Sequence, residues 1–350
     1  MRNLWGLWLG LSIVGCSAGF HHAVREHFYV VRVVTSGITG EIETYGMDSG
    51  GGLVRASRLS ITAQPLATAV HPTLPIVYVA TGSPGILAAR IEAASGALAA
   101  LDIGVSSLTK NPNRILFDRS GSLLFVAEAD FGGSVLEVYR VDASGALSLL
   151  VSRAVDADSS YFSIVSSDDA RELYFGRSGG IRHFSFDPAS GALAEQALLG
   201  AEGQSYLEAS SIHPQGGYLY SKVSNRIGFH RILEGGALSR LGTVAPVGAA
   251  VISLHWHPGE QLLLLQTLST LEIYRMDLNS GDLRLMDLVS VANTRMAYDR
   301  WHQRAWVDGG GQITGFFLDS VTGTLTQGGP IASVSGYGIF IDVLKVFEAR

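Results

Sequence analysis

Apolar residues fall along this chain in short runs or in alternation with polar ones, and Gly, Asp, Ser and Pro interrupt them at short intervals. Period-two alternation places successive side chains on opposite faces of a strand, so the pattern predicts many short strands joined by tight turns. Residues 113–150 show the order within one unit. Residues 113–118 form a first strand, Arg119-Ser120-Gly121 turns, 123–127 form a second, 135–141 a third, and after Asp142-Ala143-Ser144-Gly145 a fourth begins at Leu147. Aromatic and β-branched residues occupy the strands, and no segment sustains a helical period.

The unit recurs. An apolar strand, a polar turn and then Gly-x-Leu appear at Gly51, Gly96, Gly145, Gly191, Gly236, Gly281 and Gly323, with spacings of 45, 49, 46, 45, 45 and 42 residues. Four strands per repeat, seven times over, predict an all-β, seven-bladed β-propeller of four-stranded antiparallel blades. The ends predict its closure. Residues 28–35 read as a second strand without a first, and 338–343 supply the missing first strand. Joining them removes an exposed sheet edge.

The N-terminus carries a different pattern. Met1-Arg2-Asn3 precedes an apolar run, residues 4–14, too short to span a bilayer as a helix and suited to a signal peptide. The run ends in Ile13-Val14-Gly15-Cys16, which resembles a bacterial lipobox, and Cys16 is the only cysteine of the chain. The expected organisation is a lipoprotein signal peptide over 1–15, a lipidated Cys16 and tether over 16–27, and the propeller over 28–350. The implied product is exported and held by its lipid at the bacterial cell envelope, and Ser17 favours the outer membrane by resemblance to Gram-negative sorting rules. A lone cysteine leaves no intrachain disulfide. Loss of the leader removes one arginine and takes the formal charge from −6 to −7. A mildly acidic chain without a Lys/Arg cluster argues against nucleic acid as a partner.

The repeats "HPTLPIVYVA", "DRSGSLLFVAEADFGGSVLEVYRVDASGAL" and "HPQGGYLYSKV" resemble the lactonase-type seven-bladed propellers, a family that includes 6-phosphogluconolactonase and a fungal muconate-lactonizing enzyme. The resemblance covers roughly 28–345 and implies the scaffold. A site must be argued separately, since fold does not specify function. The family's Pro-Arg-His run before a His-Pro turn is replaced ahead of His213-Pro214 by Leu207-Glu208-Ala209. Its Asn-Glu strand end is replaced by Ser221-Lys222. An Asp-Leu-Gly loop survives in part as Asp130-Phe131-Gly132. The resemblance thus implies a degenerate lactonase site.

Aligning the seven inner strands on their turn residues (His71, Asp118, Ser167, His213, His257, Asp299, Asp342) puts Ala67, Arg114, Ser163, Ala209, Ser253, Arg295 and Gly338 at one equivalent position four residues earlier. Arg114 and Arg295, in blades 3 and 7, could clamp a carboxylate or phosphate; alternatively each pairs with a nearby acid, Glu208 being one such partner. His255 is either a general base near the channel or a packing histidine. Glu128 and Asp130, read as lying in the loop after the second strand, either bind a cation or a sugar or are simply solvated. His71, His213 and His257 occupy a structural repeat position, so no metal site is expected, and no cofactor motif is present. Asp308-Gly309-Gly310-Gly311 reads as a hairpin turn.

These readings favour an envelope propeller that binds a small anionic ligand or an envelope protein. The alternative is a lactonase-like hydrolase or isomerase on an anionic lactone, held by the two arginines, with His255, Glu128 or Asp130 moving protons. A quinone-dependent redox propeller is a third reading that no ligand set supports.

Overall fold

A computed structural model describes residues 25–350 apart from 49–51, 83–84, 105–107, 109–110, 131–132, 157–162, 178–179, 200–209, 258–260, 293–294, 300–302, 310, 336 and 349–350. Seven four-stranded antiparallel sheets make up the chain. The inner strands are β4 (Pro65–Val70), β8 (Pro112–Phe117), β12 (Ser163–Ser166), β16 (Ser210–Ile212), β20 (Val251–Trp256), β24 (Arg295–Asp299) and β28 (Tyr337–Glu348). Each touches the next, and β28 touches β4, so the seven enclose a central channel. The second strands, in the same blade order, are β5 (Ile76–Thr81), β9 (Leu123–Asp130), β13 (Glu172–Arg177), β17 (Tyr218–Val223), β21 (Leu262–Thr267), β25 (Arg304–Gly309) and, for β28, β1 (Arg25–Thr35). A seven-bladed propeller of four-stranded blades is therefore the fold.

The core is divided into seven apolar clusters, one between each pair of neighbouring blades. Among the described residues, the cluster between blades 4 and 5 is the smallest, with Tyr174, Ile181, Leu219 and Val223 as its buried members. The repeated glycine has a physical reason. Gly96, Gly145, Gly191, Gly236, Gly281 and Gly323 all have φ between 72 and 91°, which only glycine adopts without cost. At Gly145 a Cβ would lie 2.3 Å from Ile76 of the preceding blade. The carbonyls of these turns are latches: the Tyr78, Tyr174 and Tyr220 hydroxyls donate to Gly145, Gly236 and Gly281 at 2.6, 2.8 and 2.7 Å, each crossing to the next blade.

The His-Pro turns form a second lock. The His71 ring accepts the Leu74 amide at 2.8 Å through Nδ1, and its Nε2–H donates to the Gly121 carbonyl of the next blade at 2.9 Å. His71, His213 and His257 pack on Phe117, Trp256 and Tyr298, each the residue before the turn in the following blade. Burial lowers the pKa of His71 and His257.

Blade 1 closes the ring. β1 pairs antiparallel with β28 from Arg25 opposite Glu348 to Thr35 opposite Tyr337. The strand thus starts three residues earlier than residue 28 and takes in part of the expected tether. Residues 1–24, with Cys16, lie outside the described residues, as does Glu208. Arg32 sits in the apolar run of β1, fully buried. Its Nε–H donates to Asp308 of blade 7 at 2.6 Å, and its Nη1 donates to Glu43 on β2 (Gly40–Met47) at 2.8 Å and to the Ser335 carbonyl at 2.9 Å. Burial penalises the guanidinium charge, but the two carboxylates outweigh that penalty and raise its pKa. Gly338 makes room: a Cβ there would lie 1.7 Å from Asp308 Oδ2. Removing one member of such a network strands the others as buried charges. Arg32→Met is expected to destabilise the protein by about 3–5 kcal/mol, read as a lowered urea midpoint; an unchanged midpoint would show that the triad does not fasten the ring.

Candidate functional site

The inner strands begin at one end of the channel and the second strands finish there, so the mouth is built from the first residues of one set and the last of the other. Arg114 is the third residue of β8, beside Ala127, and Pro112, which opens the strand, lies opposite Glu128. In blade 4, Ser163 opens β12, and its hydroxyl bonds that of Ser210, at the start of β16, at 2.8 Å. Ser210 faces Ser221 on β17. Ser253 donates to the fully buried Gln266 at 3.1 Å. Arg295 opens β24 directly opposite Asp308. A belt of guanidinium, hydroxyl and amide groups thus runs round the mouth on a framework of paired strands.

Asp308 and Glu43 hold Arg32, and Arg55 reaches Glu43 at 3.3 Å, while Arg295 stands opposite Asp308 in the strand register. Arg114 and Arg295 are both half-buried, and three blades separate them one way round the ring and two the other. Partial burial weakens solvent screening and strengthens their pull on an anion.

His255 stands two residues beyond the mouth on β20, half-buried, and desolvation lowers its pKa to about 4. His230 on β18 (Arg226–Ile232) is buried, and desolvation likewise lowers it to about 4, a backbone bond with Leu219 opposing. Both rings are neutral at pH 7. A Cβ at Gly228 would lie 2.6 Å from Val223 Cγ2, so the close approach there is to Val223.

The acids require correction. Glu128 and Asp130 are not in a loop: β9 continues to Asp130, which pairs with Gly133 on β10 (Gly133–Val141), and Glu128 is fully buried opposite Val135. The alternation of Phe125 to Asp130 simply continues through the acids, and small Ala127 and Ala129 give the intervening face a close fit. Only the backbone of Asp130 is described. Sequence reasoning also missed the Arg32–Glu43–Asp308 network, having taken Asp308 only as part of a turn. A signal was present. Glu-x-Tyr recurs at Glu43, Glu137 and Glu272, and in each copy the tyrosine hydroxyl two residues on bonds the buried carboxylate. Glu272 also accepts the Val247 and Gly248 amides at 3.1 and 2.7 Å, pinning the loop that leads into β20.

No protein-family model matches the sequence, and no curated protein sequence does. Solved structures do match. A periplasmic gluconolactonase from Pseudomonas aeruginosa is 18% identical with a TM-score of 0.75 over 91% of this chain and 99% of its own. A candidate 6-phosphogluconolactonase from Bacteroides uniformis is 15% identical with a TM-score of 0.72 over 91% and 99%. A protein from Lactobacillus plantarum is 18% identical with a TM-score of 0.73 over 92% and 100%. The chain has the fold of the lactonase-type propellers. At these identities the likeness concerns the scaffold, and the mouth of the channel must be read from its own residues.

The neutral histidines predict a pH dependence. An unfolded histidine binds its proton near pH 6.5 and the folded His230 only near 4. Between those values the unfolded chain holds more protons, so stability falls as pH is lowered through the window. Denaturation midpoints at pH 7 and pH 4.5 should differ less in His230→Gln than in the parent, by on the order of 2 kcal/mol. An equal pH dependence in both would show that His230 titrates normally.

Proposed function

We propose that this protein is an exported propeller that binds a small organic anion at the mouth of its central channel. The observation that carries the reading is the placement of Arg114 and Arg295, two half-buried guanidiniums at equivalent positions near the starts of the inner strands of blades 3 and 7. Hydroxyl and amide groups of Ser163, Ser210, Ser253 and Gln266 complete a belt suited to a carboxylate or phosphate. The lipobox-like Ile13-Val14-Gly15-Cys16 supports an envelope location with a lipid anchor, and the likeness to a periplasmic gluconolactonase is in keeping with export. An envelope protein as partner would dock over the same mouth.

Lactone hydrolysis is the second reading, and the position of His255 on β20, two residues below Ser253 of the belt, is the observation that favours it. The ring would take a proton from water as the water oxygen attacks the lactone carbonyl. The carbonyl carbon–ring oxygen bond then breaks, and the proton returns to the departing oxygen to leave a hydroxy acid. No second acid or base is required for this exchange.

A thermal-shift panel of gluconate, hexanoate and inorganic phosphate tests the binding reading. A ligand at a hundred times its Kd stabilises the folded state by about 2.7 kcal/mol. At least one anion should raise the melting temperature of the parent, and Arg114→Ala and Arg295→Ala should each lose most of the shift while staying folded. Shifts that persist in both variants would place the ligand elsewhere. Should a lactone be turned over, His255→Gln is expected to lower kcat at least a hundredfold with little change in KM.

A further inference from the structure

The channel wall changes character with depth. Below the polar belt, two residues further along each inner strand, lie Ala69, Leu116, Val165, Ser211, His255, Ala297 and Phe340. All but Ala297 keep partial exposure, whereas the intervening Thr68, Ile115, Ile164, Leu254 and Met296 are buried between blades. Ala69, Leu116, Val165 and Phe340 lean on the clusters between blades, and because no strand lies inward of theirs, their remaining exposure is to the channel. The partly exposed set is apolar apart from one hydroxyl and one imidazole. Beyond it the wall turns polar again at a cavity of about 250 Å³ lined by His71, Tyr298, Asp342 and Lys345 among others. A cationic and hydroxylic mouth thus opens onto an apolar waist, about 7 Å deep at two residues of strand rise.

We infer that the ligand of this channel is an amphiphilic carboxylate, a medium-chain or aryl acid, with its anionic head between the arginines and its apolar body in the waist. The inference rests on the anion-binding reading of the mouth and narrows it. A polyhydroxylated acid would have to strip water from its hydroxyls against Leu116, Val165 and Phe340, where Ser211 and His255 alone could replace those hydrogen bonds. An alkyl or aryl body loses nothing there and gains by leaving water.

Calorimetric titration of the whole protein with butanoate, hexanoate, octanoate and gluconate tests this, with every acid held below its micelle concentration. Affinity should rise about three- to fourfold per added methylene until the waist is filled, gluconate should bind more weakly than hexanoate, and Arg114→Ala/Arg295→Ala should abolish binding of all four. Val165→Thr, which keeps the shape and adds a hydroxyl, should weaken octanoate more than butanoate and so flatten the dependence on chain length. If gluconate and all the alkanoates bind equally and the arginine variant still abolishes binding, the amphiphile inference fails and the anion site stands. If no anion binds, both fail. A chain-length dependence that survives in the arginine variant reports apolar adsorption outside the channel and also overturns the inference.

Discussion

Seven wedges must meet without a gap, and in a linear chain one wedge has to be assembled from both ends. Everything else in this molecule depends on that closure. Backbone pairing of β1 with β28 supplies the hydrogen bonds, but the Arg32 guanidinium supplies the connection to the blade beyond, gripping Asp308 and Glu43 where no water reaches. Pairing alone would join two strands. The triad sets the angle at which blade 7 meets blade 1, because the short charge-assisted bonds tolerate little displacement. Gly338 is part of the same constraint, since the carboxylate occupies the volume of a side chain.

The other junctions use cheaper materials: a left-handed glycine at each of six, a tyrosine hydroxyl on its carbonyl at three, and an imidazole against an aromatic ring at three. These positions are committed to holding blades together and are available for nothing else. The residues four positions before the turns of the inner strands are under no such obligation, and there the blades differ most, with alanine, arginine, serine or glycine at equivalent points. Diversity is confined to the rim of the channel by the demands of the joints.

The same division explains what could be read from the chain alone. Blade number, strand order, the mode of closure and the turn role of His71, His213 and His257 were legible because each follows from local patterns repeated many times. Arg114 and Arg295 could be placed at equivalent positions by alignment for the same reason. Pairings between distant, unrepeated residues were not legible. Nothing local in Tyr29-Val30-Val31-Arg32-Val33 names Asp308 as its partner, and nothing marks Glu128 as buried, since an acid is ordinarily evidence of solvent. Only the thrice-repeated Glu-x-Tyr gave notice that this fold stores carboxylates inside.

The tyrosine-to-glycine latches have a mechanical meaning. Each donor belongs to one blade and its acceptor to the next, so none of blades 2 to 6 can loosen without leaving a polar group, its own or its neighbour's, unpaired in an apolar cleft. An open solenoid can fray from its ends; a closed ring of this kind has no end from which to begin. The whole circle therefore opens as one cooperative event, and a protease meeting the native protein finds loops to nick but no blade to peel away.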